Sequence, residues 1–183
     1  IYEVTLNGEG VTQTPGKVYY QYNTTKKVND VTCYYYTDSY LTTCIDRGQY
    51  ITPPTKVGYT FGGYYTEEDG VGTQHVNTSG QFVNNIYKTV GDKTLHAKWT
   101  ANELTFANQT IDKTFSTSSQ TIDITPATNG TGTYTYTEKS EKNATGTDTN
   151  YISLSGTTIT IAKDTPVGTY TYVITVTDSN SGA

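Results

Sequence analysis

The chain has 183 residues, 33% of them hydrophobic, with 18 Tyr against 4 Phe and no Met, and a formal net charge of −5. That length accommodates one large domain or two ordinary ones. The acidic balance argues against nucleic acid, which requires a basic stripe to neutralise phosphates, and against an anionic membrane surface, and no run of 18 apolar residues offers a helical span.

Tyrosine buries a large ring and keeps a hydroxyl for a polar partner, so a chain that uses Tyr and Thr in place of Leu and Met suits sheets with one wet face. The chain opens at Ile1 without Met, a basic leader or an apolar leader segment, which reads as a processed or excised piece. The first strand is expected at 2–6, where Tyr2, Val4 and Leu6 alternate with Glu3 and Thr5. After the break at "NGEG", "KVYYQYNT" (17–24) reads as the second strand.

"TCYYYTDSYLTTC" (32–44) is β-branched and aromatic on both sides of Asp38-Ser39. A two-residue hairpin loop there sets Thr37 opposite Tyr40 and, counting outward, Cys33 opposite Cys44. Facing strand residues lie about 5.5 Å apart at Cα, which a disulfide accepts. A Cys33–Cys44 disulfide is therefore expected, the alternative being two buried thiols in register.

Pro53-Pro54 punctuates. Residues 57–66 read as a strand kinked at Gly62-Gly63, and "EEDGVG" as a turn. In "SGQFVNNIYKTVG" (79–91), Phe82, Ile86 and Val90 recur at four-residue spacing, which predicts a short helix. "KTLHAKWT" alternates Leu95, Ala97 and Trp99 against Thr94, His96 and Lys98, a closing strand. Composition changes near residue 102: both Cys, both His, Arg47 and Trp99 lie before it, and Thr, Ser, Asn and Gly dominate after it. Two modules are expected, 1–102 and 103–183. In the second, "ELTFA", "QTIDI", "GTYTYTE", "YISLSG", "TTITIA" and "GTYTYVITVTD" are short alternating runs between turn residues, which favours a Greek-key sandwich.

The segments "PTKVGYTFGGYYTEEDG" and "TLHAKWT" resemble the Listeria–Bacteroides repeat, the internalin B-repeat type. The resemblance implies a β-grasp-like α+β module with a small mixed sheet and one short helix, found in tandem in bacterial surface proteins. The stretch from Gly8 to Tyr50 is longer than in the short form of that family. "YISLSGTTITI" with "DTPVGTYTYVITVTDSNSG" resembles bacterial immunoglobulin-like domains. That likeness implies an Ig-like sandwich expected to stop one strand short, with an open edge beside 169–177.

Chemistry is sparse. His75 and His96 read as too few and too poorly placed for a metal site, and His96 falls on the polar face of its strand. Glu67, Glu68 and Asp69 read as a turn rather than a calcium site. The likeness to Ig-like surface modules makes Lys113 the candidate lysine for a Lys–Asn isopeptide cross-link, whose asparagine would need the terminal strand expected to be absent, and the sequons at Asn23, Asn77, Asn108, Asn129 and Asn143 matter only in a eukaryotic secretory route. Tyr34, Tyr36 and Tyr64 are the candidate ligand-facing rings, since alternation turns every second ring outward. The expectation is a non-catalytic stalk or adhesin segment at the bacterial cell surface, without catalytic, cofactor or metal site. Its partners would be the other modules of its parent protein, with a glycan or host protein as a further possibility. The alternatives are a glycan-binding module, or accessory domains of a larger extracellular enzyme.

Overall fold

The structure is a computed structural model and describes residues 1–130 and 133–179. The chain divides into two compact units, Ile1–Thr100 and a second beginning at Ala101. Strand dominates, and no α-helix occurs among the described residues.

The first unit is built on a mixed five-stranded sheet. Its strands are β1 (Tyr2–Asn7), β2 (Lys17–Tyr20), β5 (Tyr59–Tyr65), β6 (Gln74–Val76) and β7 (Lys93–Ala101), and a separate hairpin pairs β3 (Lys26–Val28) with β4 (Val31–Cys33). The sheet order is β2-β1-β7-β5-β6. β1 runs antiparallel to β2 and parallel to β7, so the first and last strands of the unit lie side by side in the middle of the sheet. The alternation read from sequence holds there. Val4, Leu6, Leu95 and Ala97 are buried, while Thr94 on the opposite face is exposed. Val18, Tyr20, Tyr35, Ile45, Ile51, Phe61, Tyr64, Val76, Phe82 and Ile86 complete the core.

Gly63 explains how so many rings reach that core. Strict alternation would put Phe61 and Tyr64 on opposite faces of β5, yet both are buried. The pairing with β6 slips between Tyr64 and Tyr65, and Gly63 sits at φ 105° with no room for a Cβ against the Val76 carbonyl oxygen. This bulge turns Tyr64 inward beside Phe61, with ring centroids 5.3 Å apart.

Two local expectations are corrected. Residues 79–91 hold only a single 3-10 turn, Ile86–Lys88. Asn84 and Asn85 both occupy the left-handed region (φ 60° and 46°) and break the helical path. The amides of Phe82 and Val83 donate instead to Gln49 and His75 carbonyls, fastening the segment to the sheet edge. Phe82 and Ile86 are buried as expected, but Val90 is exposed.

The hairpin around Asp38-Ser39 is likewise replaced. Val31–Cys33 pairs backward with Lys26–Val28 across Asn29-Asp30, a two-residue turn with both residues at positive φ. The following segment leaves the ladder. Tyr36 pairs with Tyr19 of β2 on one side and with Cys44 on the other, and the Thr37 amide donates to the Thr43 carbonyl. Cys33 therefore has Lys26, not Cys44, as its ladder partner. The disulfide forms nonetheless, Cys33–Cys44 with Cα atoms 5.6 Å apart, because the chain doubles back over a five-residue loop instead of two.

The second unit holds two antiparallel sheets. One joins β10 (Ile152–Ser155), β11 (Thr158–Ile161) and β8 (Gln120–Asp123); the other joins β12 (Tyr170–Asp178) and β9 (Tyr134–Asn143). Five of the six alternating runs thus become strands. The sixth, "ELTFA", contributes a single bridge, Thr105 to Thr128. The Glu141 carboxylate, buried on β9, accepts from Thr149 Oγ1 and from the amides of Tyr151 and Ile152, which pins the start of β10 to β9. β12 is paired with β9 alone among the described residues.

Replacing Gly63 with Ala costs both the left-handed backbone and the clash with Val76; Gly91→Ala costs only the backbone, since nothing lies within 4 Å of a Cβ at φ 87°. In urea unfolding, Gly63→Ala is expected to lose more than about 1 kcal/mol beyond Gly91→Ala. Equal losses would show that the bulge does not set the core.

Candidate functional site

The candidate ligand-facing tyrosines do not form a platform. Tyr64 is fully buried, and its hydroxyl donates to Gln13 Oε1 at 3.0 Å. Gln13 is itself buried and donates through Nε2 to the Thr14 and Thr52 carbonyls. Tyr36 is buried too, its backbone engaged with Tyr19 and its hydroxyl donating to the Cys33 carbonyl at 3.3 Å. Tyr34 is half-buried edge-on against Tyr87, with centroids 5.1 Å apart. The β5 bulge and the pairing of Tyr36 with β2 turned these rings inward, which alternation alone does not anticipate. The tyrosines left exposed are others: Tyr40, 86% exposed, and Tyr22, 50% exposed.

Tyr40 projects from the loop closed by the disulfide, and that loop is organised around one carboxylate. Asp38 Oδ1 and Oδ2 accept the amides of Tyr40, Thr42 and Thr43, the last at 2.7 Å. Desolvation pushes the Asp38 carboxyl up, but the amides of Thr43, Thr42 and Tyr40 together hold it below its ordinary value. Leu41, at φ 57°, drops back into a small apolar cluster with Cys33 and Tyr36. The sequence marked Asp38 only as a turn residue; its spacing to Thr42-Thr43 is the signal for a carboxylate that caps several amides.

His96, Glu9 and Glu68 meet on the first unit. The parallel register sets His96 of β7 beside Asn7 at the end of β1. Glu9 follows two residues later at φ 50°, its amide donating to Asn7 Oδ1 and its Oε1 lying 2.7 Å from His96 Nδ1. Glu68 opens the 3-10 turn Glu68–Gly70 between β5 and β6. One ligand-capable atom from each of the three lies within 4.8 Å of the other two. In the sequence, His96 falls on the polar face of its strand and Glu68 within a turn. The 59- and 87-residue separations gave no local pattern to join them. Glu67 and Asp69, the neighbours in the acidic run, are not part of this group.

His75 is a different case. Desolvation, then Lys93, holds its imidazole below the ordinary value, and its Nδ1 is buried without a hydrogen-bond partner. It sits half-buried on the edge strand β6. Lys113 is exposed.

The second unit contains a cleft of about 770 Å³ between residues 106–116 and the inward face of β12, lined by Ile111, Phe115, Ile159, Tyr170, Tyr172 and Ile174 among others. Its titratable lining side chains, apart from tyrosines, are Asp112 and Lys113, both exposed.

No protein-family model, curated protein or solved structure matches the chain.

Tyr64→Phe leaves the buried Gln13 Oε1 without its donor. It is expected to cost about 1–3 kcal/mol in chemical unfolding, against less than about 0.5 kcal/mol for Tyr22→Phe at a half-exposed site. Indistinguishable values would show that the Tyr64–Gln13 bond does not hold the core.

Proposed function

We propose that the chain is a structural, non-catalytic segment of a secreted bacterial surface protein: a stalk or adhesin piece whose partners are the neighbouring modules of its parent. The observation that carries the reading is how the reactive and aromatic side chains are spent. Both cysteines are joined, and the rings that sequence alternation offered to a ligand are packed or bonded inside the first unit. A disulfide persists in oxidising compartments outside the cytosol, and no helix among the described residues is long and apolar enough to cross a membrane.

Two finer readings belong with it. A β-grasp-like first module is supported by the mixed sheet with its first and last strands parallel and adjacent, although a 3-10 turn stands where that arrangement has a helix. An Ig-like second module is supported by two antiparallel sheets of short alternating strands. Adhesion to a glycan keeps one specific support: Tyr40, a nearly fully exposed ring on a loop fixed by a disulfide and by Asp38. Exposed aromatic rings stack on apolar sugar faces.

A glycan array probed with the whole chain separates stalk from adhesin. The stalk reading expects no saturable response. A saturable response that disappears in Tyr40→Ala would replace it with a glycan-binding function.

A further inference from the structure

We propose that Glu9, Glu68 and His96 form a binding site for one divalent transition-metal ion, Zn²⁺ foremost, which ties together three separate segments of the first unit. The three residues are not a charge run. They come from the turn after β1, from the connection between β5 and β6, and from the middle of β7. Their ligand atoms fall within 4.8 Å of one another.

Two of the three are held in place before any ion arrives. His96 is fixed by the central strand β7, and its side chain is 20% exposed. Glu9 is held by a short rigid frame. The Trp99 indole Nε1 donates to the Gly8 carbonyl at 2.9 Å, and Asn7 Oδ1 accepts the Glu9 amide. The Glu9 side chain is 30% exposed and reaches His96 directly. Glu68 is exposed, and the turn it opens is closed by the Val71 amide donating to its carbonyl. It is the ligand free to rotate onto an ion. Zinc binds nitrogen and carboxylate oxygen at about 2.0–2.2 Å, which puts tetrahedral ligand atoms roughly 3.3 Å apart. The 2.7 Å Glu9–His96 contact thus opens by roughly half an ångström as the ion replaces the shared proton, and the exposed Glu68 side chain, within 4.8 Å of both, closes by at most about an ångström and a half.

Charge points the same way. Two carboxylates converge on one imidazole, and among the described residues no Lys or Arg forms an ion pair with either Glu9 or Glu68. Lys98 lies on the same face of β7, with its stem over Gly62 and Gly70, but its Nζ is directed to the Tyr65 ring. A divalent cation balances the two negative charges where the imidazole balances at most one. The donor set chooses the metal class: Ca²⁺ and Mg²⁺ take all-oxygen shells, whereas mixed nitrogen and carboxylate donors suit Zn²⁺ and its neighbours in the Irving–Williams series. Three protein ligands leave the remaining positions to water. The bound ion would cross-link the β1–β2 turn, the β5–β6 connection and β7.

The test uses the whole chain and Zn²⁺ alone. Calorimetric titration is expected to give one Zn²⁺ per chain, and Zn²⁺ but not Ca²⁺ is expected to raise the thermal midpoint by mass action. NMR of the two imidazoles should show His96, not His75, shifting on addition. Glu68→Gln, at an exposed side chain that the fold does not need, should weaken binding by at least about tenfold. His96→Gln should abolish the stoichiometric step. Absence of saturable binding up to millimolar Zn²⁺, affinity unchanged by Glu68→Gln, or shifts confined to His75 would each overturn the site.

Discussion

A tyrosine core is stable only if every buried hydroxyl finds a partner, and this requirement organises the first unit. An unsatisfied buried hydroxyl costs on the order of 1–3 kcal/mol, and several such losses would remove much of the roughly 5–15 kcal/mol by which a domain is stable. Each central ring is provided for. The Tyr20 hydroxyl is shared between the Thr89 and Gly91 carbonyls, the Tyr35 hydroxyl accepts the Tyr87 amide, and the Tyr64 hydroxyl donates to Gln13. The partners come from loops and from the single 3-10 turn that holds Tyr87, none of them from a strand. Residues 84–91 therefore follow a path that delivers carbonyls to Tyr20 rather than completing helical turns. The rings then pack on one another, Tyr35 stacked on Phe82 at 4.0 Å and edge-on to Tyr20 at 6.3 Å.

The same requirement accounts for the punctuation. Short elements must change direction often to bring backbone groups to the hydroxyls, and Asn, Asp and Gly at positive φ make those changes. Gly63 is the clearest case: its bulge spends one residue of ladder to bring a second ring inward. The disulfide belongs to the same economy of small size. It closes a loop that has one carboxylate and one apolar anchor, Asp38 and Leu41, in place of a hydrophobic layer.

What was legible in the sequence was what depends on periodicity within one strand. β1, β7, β8, β10 and β12 each follow alternation that survives folding, and the division into an aromatic first part and a Thr-rich second part matches a change in how the sheets are built. The cysteine pair was legible as a pair, but not its register, because Asn29-Asp30 claimed Val31–Cys33 for a different hairpin. The inward turn of Tyr64 was hidden because a bulge reverses facing without changing composition. The helical spacing of Phe82, Ile86 and Val90 was real as a burial signal for the first two, and false as a backbone signal because two consecutive left-handed asparagines intervene. The meeting of Glu9, Glu68 and His96 was not legible at all. It depends on β1 and β7 running parallel, a pairing between residues nearly ninety positions apart.

Spectrophotometric titration of the tyrosines tests the buried-hydroxyl account most directly. Desolvation raises the Tyr20, Tyr35 and Tyr64 hydroxyls above their ordinary value near 10. The native state thus binds those protons more tightly than the unfolded chain, and the stability they contribute is complete below about pH 10 and is lost as pH climbs beyond it. Two classes are expected: exposed tyrosines ionising reversibly near pH 10 with circular dichroism unchanged, and a buried class ionising only at higher pH, together with loss of the native spectrum. All tyrosines ionising in one reversible step near pH 10, in a chain that stays folded, would contradict the account.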